Sequence, residues 1–137
     1  MEGADARYAK NAGAVFSLKY HAVWCPKYRR PVLTGHVERR LIELIRDAAV
    51  QRDMKVHALE VMPDHVHLFI ETDPRWAPAE FVGKIKANTS RVLREEFPHL
   101  RSRLPTLWSR SYFCATVGAV SEVTIRRYIE MQKGRGR

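Results

Sequence analysis

His65 and His67 flank a single valine at the start of the most apolar stretch of the chain, directly after the turn Met62-Pro63-Asp64. Residues two apart on a strand project from the same face about 7 Å apart. As a strand, this segment would carry both imidazoles on one side while Val66, Leu68 and Ile70 turn to the other. Two histidines rarely complete a metal site, so further donors must converge on them. Tyr128 and Gln132, near the C-terminus, stand four residues apart, which on a helix is one turn. Gln132 would offer a carbonyl oxygen to a cation. Tyr128 would offer a phenol, and a phenol attacking a phosphodiester forms a covalent phosphotyrosine that keeps the bond energy for rejoining. Taken singly, surface histidines on a sheet and a packed tyrosine are the plainer explanations. They leave Gln132 unaccounted for, because a buried amide without partners costs about 1–3 kcal/mol.

A structural zinc site would favour four ligands with sulfur among them. Cys25 and Cys114 lie far apart and neither has a C-x-x-C companion. Two imidazoles and an amide oxygen instead leave coordination positions open, which suits a catalytic ion that holds substrate oxygens. Imidazole is softer than magnesium prefers, so manganese would bind more tightly although magnesium is more available. The choice between Mg2+ and Mn2+ stays open.

The elements that must position these residues follow from periodicity. Residues 14–24 alternate as a long strand, with Ala14, Phe16, Leu18, Tyr20, Ala22 and Trp24 on one face. Pro26 and Pro31 bracket a basic loop, Lys27-Tyr28-Arg29-Arg30. Val37, Leu41, Leu44, Ile45 and Ala48 mark an amphipathic helix ending near Arg52. Residues 54–62 form a second strand, and the histidine strand follows to about Glu71. A second helix spans about 79–97, with Phe81, Val82, Ile85, Val92 and Leu93 facing inward and Pro98 stopping it. Residues 107–117 read as a fourth strand. Ser121 can cap a last helix running to about Lys133, on which Ser121, Ile125, Tyr128, Ile129 and Gln132 share one arc of roughly 100°. The order β-α-β-β-α-β-α predicts an α+β fold: a ferredoxin-like or RRM-like βαββαβ antiparallel sheet with helices on one face and an appended C-terminal helix carrying the tyrosine. Strands one and three are central there, which would set the histidines mid-sheet.

The 137 residues suit one domain, 1–137, with a loose tail at 1–11 and a basic tail at 133–137. A hydrophobic fraction of 45% argues against disorder. No apolar run is long enough to span a bilayer and no secretory signal is evident, so a cytoplasmic, nucleoid-associated protein with no membrane partner is expected. Two distant cysteines fit a reducing compartment. A net charge of +9 favours a polyanionic partner. Lys27, Tyr28, Arg29 and Arg30 on the loop, Lys84, Lys86 and Arg91 on the second helix, and Lys133 beside the tyrosine suit backbone contact with base stacking on single strands.

Taken together, Trp24-Cys25-Pro26-Lys27-Tyr28-Arg29-Arg30, then residues 60–68 (Glu-Val-Met-Pro-Asp-His-Val-His-Leu), then Tyr128 with Gln132, resemble the single-tyrosine HUH transposases of insertion sequences of the 200/605 type. The resemblance extends from about Val15 to Gln132. It implies a bacterial or archaeal homodimer that cleaves and rejoins single-stranded DNA at element ends and recognises end hairpins. It further implies that His65, His67 and Gln132 hold a divalent ion and that Tyr128 becomes joined to a 5′ phosphate. In such dimers the tyrosine helix of one subunit can complete the metal site of the other. A domesticated relative that processes chromosomal repeats would share all these motifs. A non-catalytic RRM-like binding module would explain the fold, charge and aromatics but not the convergence of His65, His67, Tyr128 and Gln132. A relaxase with the same chemistry is expected to sit in a larger chain.

Overall fold

The computed structural model describes residues 9–11, 14–16, 18–118, 127, 129 and 130. Ala9–Asn11 (β1) pairs antiparallel with Ala14–Phe16 (β2). Residues 9–11, expected to end a loose tail, therefore belong to a paired strand. Leu18–Trp24 (β3) continues the alternating pattern that sequence reading joins to β2. Gly35–Gln51 (α1), Lys55–Met62 (β4), His65–Thr72 (β5), Pro78–Glu96 (α2), His99–Ser102 (α3) and Phe113–Thr116 (β6) follow.

Local chemistry sets these boundaries. Gly35 opens α1 with φ +58°, a left-handed backbone that favours glycine. Asp53, at φ +54°, reverses the chain after α1, and the Met54 amide donates back to the Ala49 carbonyl at 2.8 Å. Pro78 occupies the first turn of α2, where its missing N–H costs nothing, and Pro98 follows its end.

The main sheet has the order β4-β5-β3-β6, every neighbour antiparallel. The histidine strand and β3 are thus central, as the βαββαβ order predicts. One sheet face, with Tyr20, Ala22, Trp24, Val61, Val66, Leu68 and Ile70, forms the main core with α1 and α2. Leu68, Ile70, Phe81 and Ile85 are each at most 1% exposed. Truncating such side chains costs about 2–5 kcal/mol each, so β5 is firmly anchored from behind. On the opposite face, Phe69, Val117 and Ile129 form a second, smaller cluster. Arg127, Ile129 and Glu130 are helical, with Ile129 buried and the other two exposed. Tyr128, Gln132 and Lys133 lie outside the described residues. No helix among the described residues is long and apolar enough to cross a membrane.

The fourth strand is shorter than the expected 107–117. Leu107 and Trp108 are buried but run as a bracket against the end of β3. The Lys27 amide donates to the Leu107 carbonyl at 2.8 Å and the Ser109 amide to the Cys25 carbonyl at 2.9 Å. The chain then leaves the ladder because the Lys86 ammonium collects the carbonyls of Ser109, Arg110 and Ser111 at 2.8, 3.4 and 3.3 Å. Pairing with β3 resumes only at Phe113.

Candidate active site

β5 presents His65 and His67 on the sheet face away from α1 and α2. Their ring centroids are 4.7 Å apart and their planes cross at 84°. Ladder register aligns Glu60, His67, Val23 and Phe113 in one row across β4, β5, β3 and β6. Directly opposed residues share a face, so this row is the floor of the site. His67 and Glu60 are both buried.

Each histidine has a hydrogen-bond partner within reach of its Nδ1. Asp64 Oδ1 lies 2.6 Å from His65 Nδ1, and Asp64 Oδ2 accepts from the Arg29 guanidinium at 3.0 Å. His67 Nδ1 lies 3.3 Å from His21 Nε2, and these two rings stack at 5.5 Å with planes 14° apart. With Nδ1–H donating in both cases, the lone pair of each imidazole sits on Nε2, the tautomer a metal-binding histidine uses when its other nitrogen is engaged. Burial, with the neighbouring His65 and His21, pushes the His67 pKa down to about 4, so the ring is a neutral donor at neutral pH. Burial also lowers His21. For Asp64, burial raises the pKa, but the hydrogen bond and charge of His65 and the charge of Arg29 outweigh it and hold the carboxyl below its ordinary value.

The donor set therefore fits a divalent ion at two imidazole nitrogens. Among the described residues no group of three or more His, Cys, Asp or Glu is arranged to hold a metal, so further ligands would come from elsewhere in the chain, from water or from substrate oxygens. His21 and Glu60 were not singled out from sequence. Both have the correct strand parity, but only the ladder register reveals that they border His67.

The Asp64–His65 bond has a measurable consequence. Asp64→Asn should weaken manganese binding roughly 10- to 100-fold, as loss of an orienting carboxylate does elsewhere. Isothermal titration against the wild-type protein reads this directly. Equal affinities would show that Asp64 has no part in orienting His65.

The basic loop is brought to the same place. Lys27–Arg29 forms one 3-10 turn, with Tyr28 at φ +61° and Arg29 at φ +50°. That strained turn leaves Tyr28 65% exposed and sets the Lys27 ammonium 5.4 Å from its ring centroid. Arg30 is exposed beside it. Lys84 and Arg91 are exposed on α2, on the other side of the sheet from the histidines; Arg91 donates to Asn88 at 3.0 Å. Lys86 is half-buried and engaged with the three carbonyls of the 109–111 loop.

Comparison with known proteins places this arrangement in context. The family model described as "Transposase IS200 like" matches residues 14–132. The chain is 40% identical over 125 residues to the ISDra2 transposase TnpA of Deinococcus radiodurans, covering 90% of this chain and 89% of that one. It is 30% identical over 119 residues to the transposase for insertion sequence element IS200 of Salmonella typhimurium, covering 85% and 78%. A crystal structure of a transposase-like protein from Deinococcus radiodurans R1 superposes with a TM-score of 0.74 at 38% identity, covering 90% of this chain and 97% of that chain. The REP-associated tyrosine transposase bound to a REP hairpin superposes with a TM-score of 0.68 at 13% identity, covering 93% and 73%, a likeness of fold alone.

Proposed function

The chain belongs to the IS200-like transposase family, and from that premise we propose that it cleaves and rejoins single-stranded DNA through a 5′-phosphotyrosine at Tyr128. The observation that carries this reading is the pair His65 and His67, held mid-sheet with both Nδ1 atoms engaged. It is supported by Ile129, the residue after Tyr128, which is buried against Phe69 on the same strand face as the histidines.

In this reading the Tyr128 phenol loses its proton and its oxygen attacks the scissile phosphorus. A Tyr–O–P bond forms, the P–O3′ bond breaks, and the 3′ oxygen leaves and takes up a proton. Rejoining runs the same exchange in reverse, with a strand 3′ hydroxyl displacing the tyrosine. His65, His67 and Gln132 would hold a divalent ion, Mg2+ or Mn2+, which supplies charge stabilisation at the scissile phosphate when bound. Asp64 and His21 hold the imidazole rings. Lys27, Tyr28, Arg29 and Arg30 engage the strand nearest the histidines. Lys84, Arg91 and Lys133 extend the basic surface, and Lys86 acts through the loop it pins. The protein works as a homodimer on DNA with hairpins near the element ends, and the tyrosine helix of one subunit serves either its own site or that of its partner.

End labels test the polarity of the chemistry. Single strands covering the ends of the encoding element are incubated with protein and manganese, then resolved on denaturing gels. A 3′ label should migrate with the protein while a 5′ label is released on a shorter strand. The opposite pattern would overturn the 5′-phosphotyrosine assignment, and binding without any adduct would favour a non-catalytic module. Affinity for the same strands should fall roughly a hundredfold or more between about 50 and 200 mM salt, given about six phosphate contacts. A flat salt response would contradict a phosphate-contacting surface.

A further inference from the structure

Beside the histidine face, where the 109–111 loop leaves the ladder, a cavity of about 350 Å³ opens between Val23, Cys25, Ser111, Tyr112 and Phe113. Among the described residues only four large hydrophobic side chains are exposed, and two of them are its adjacent aromatics, Tyr112 at 38% and Phe113 at 56%. Exposing two neighbouring aromatic rings forgoes burial that folding would otherwise favour, so a partner for them is the simplest physical account. Phe113 stands in the same cross-sheet row as His67, two strands away, which is about 10 Å at ordinary strand spacing. Its ring meets His21 edge-on at 6.0 Å, and His21 in turn stacks on His67.

The rim is cationic. Arg110 is exposed on the loop, and the Lys86 ammonium that pins the loop lies 5.7 Å from the Tyr112 ring centroid. The arrangement couples an apolar slot, aromatic faces and positive charge in a protein of net charge +9. That combination recognises single-stranded nucleic acid by stacking, because every base offers a π-face and the backbone is anionic. The cavity also lies within the size range of small-ligand sites.

We propose that this pocket receives an unpaired base of the strand held at the histidines, one nucleotide removed from the scissile phosphate, stacked on Phe113 and Tyr112. The inference rests on the reading of His65, His67 and Tyr128 as a strand-cleaving site. A phosphate poised over His67 places a neighbouring nucleotide within reach of Phe113. Splaying that base out of the stack straightens the backbone across the sheet, and Lys86 acts here as a positioning residue by holding the loop that walls the slot.

The test uses single strands from the ends of the encoding element, with 5-iodouracil substituted at single positions flanking the cleavage site. Irradiation followed by peptide mass mapping should place crosslinks on Tyr112 or Phe113 from one such position. Phe113→Ala should weaken single-strand binding roughly 5- to 100-fold, Phe113→Trp should restore it, and binding of a matched hairpin lacking the flanking strand should not change. Because Phe113 is largely exposed, unaltered thermal melting is expected to accompany the loss. Crosslinks confined to other residues, unchanged affinity in Phe113→Ala, or a shift of that variant to a different oligomeric state would each overturn the pocket assignment. The covalent adduct is scored on the same samples. Adduct without the crosslink overturns the pocket and leaves the cleavage reading standing; crosslink without adduct sustains the pocket and removes the cleavage reading.

Discussion

Tyr128→Phe should abolish the covalent protein–DNA species, lowering strand cleavage by roughly a thousandfold or more, in line with removal of a nucleophile from an enzyme site. The substitution deletes one oxygen and keeps the ring, so the contacts of the neighbouring Ile129 with Phe69 and Val117 should survive. Hairpin binding is therefore expected within a few-fold of the wild-type value if the phenol serves as the nucleophile and the basic loop holds the DNA. Gel shifts at fixed salt and denaturing gels on the same preparation separate the two effects. Cleavage at the wild-type rate would remove Tyr128 as the nucleophile. Loss of binding together with cleavage would point to a structural role for the hydroxyl instead.

The second large effect concerns the histidines. His67→Ala should reduce manganese affinity by at least roughly a hundredfold, more than loss of an outer partner such as Asp64 would, and should leave no cleavage at low metal concentration. His65→Ala should behave similarly. His67 is buried between Glu60 and Val23 in the sheet row, so its truncation also opens space and is expected to lower stability. His67→Gln retains bulk and polarity, and isolates the loss of the imidazole. Because burial holds the His67 pKa near 4, protons compete weakly with metal at this ring above that value. The unfolded chain binds protons there more readily, so stability associated with His67 is complete above the ordinary histidine pKa and is lost as pH falls from about 6.5 toward 4. Full metal-dependent activity in His67→Ala would refute a ligand role.

How much of this was legible in the sequence depends on the kind of constraint. Alternation along β3, the continuous apolar run of β5, and the helical spacing of Val37, Leu41, Leu44 and Ile45 are one-dimensional patterns of burial and could be read directly. From these came the βαββαβ order, and with it the central placement of His65 and His67. Register could not be read. That His21 and Glu60 border His67 depends on how β3, β5 and β4 slide past one another, which no single strand encodes. The late start of the fourth strand depends on one long-range choice, the Lys86 ammonium taking three carbonyls from the 109–111 loop. Apolar content at Leu107 and Trp108 resembles strand burial but arises from packing in the main core. The pairing of residues 9–11 with 14–16 likewise escaped a reading in which small and charged residues look unstructured. The basic loop could be recognised by composition, but its left-handed backbone at Tyr28 and Arg29 and its link through Asp64 to His65 could not.

The most direct test of the central claim is the location of the covalent bond. Protein reacted with a single strand from an element end in manganese is treated with nuclease and protease, and the nucleotide-bearing peptide is sequenced by mass spectrometry. The expected product is a 5′-nucleotide phosphate on Tyr128, formed with manganese and absent when a chelator is added. Attachment at another residue, such as Tyr28 or Tyr112, or an adduct that forms equally well in chelator, would contradict it.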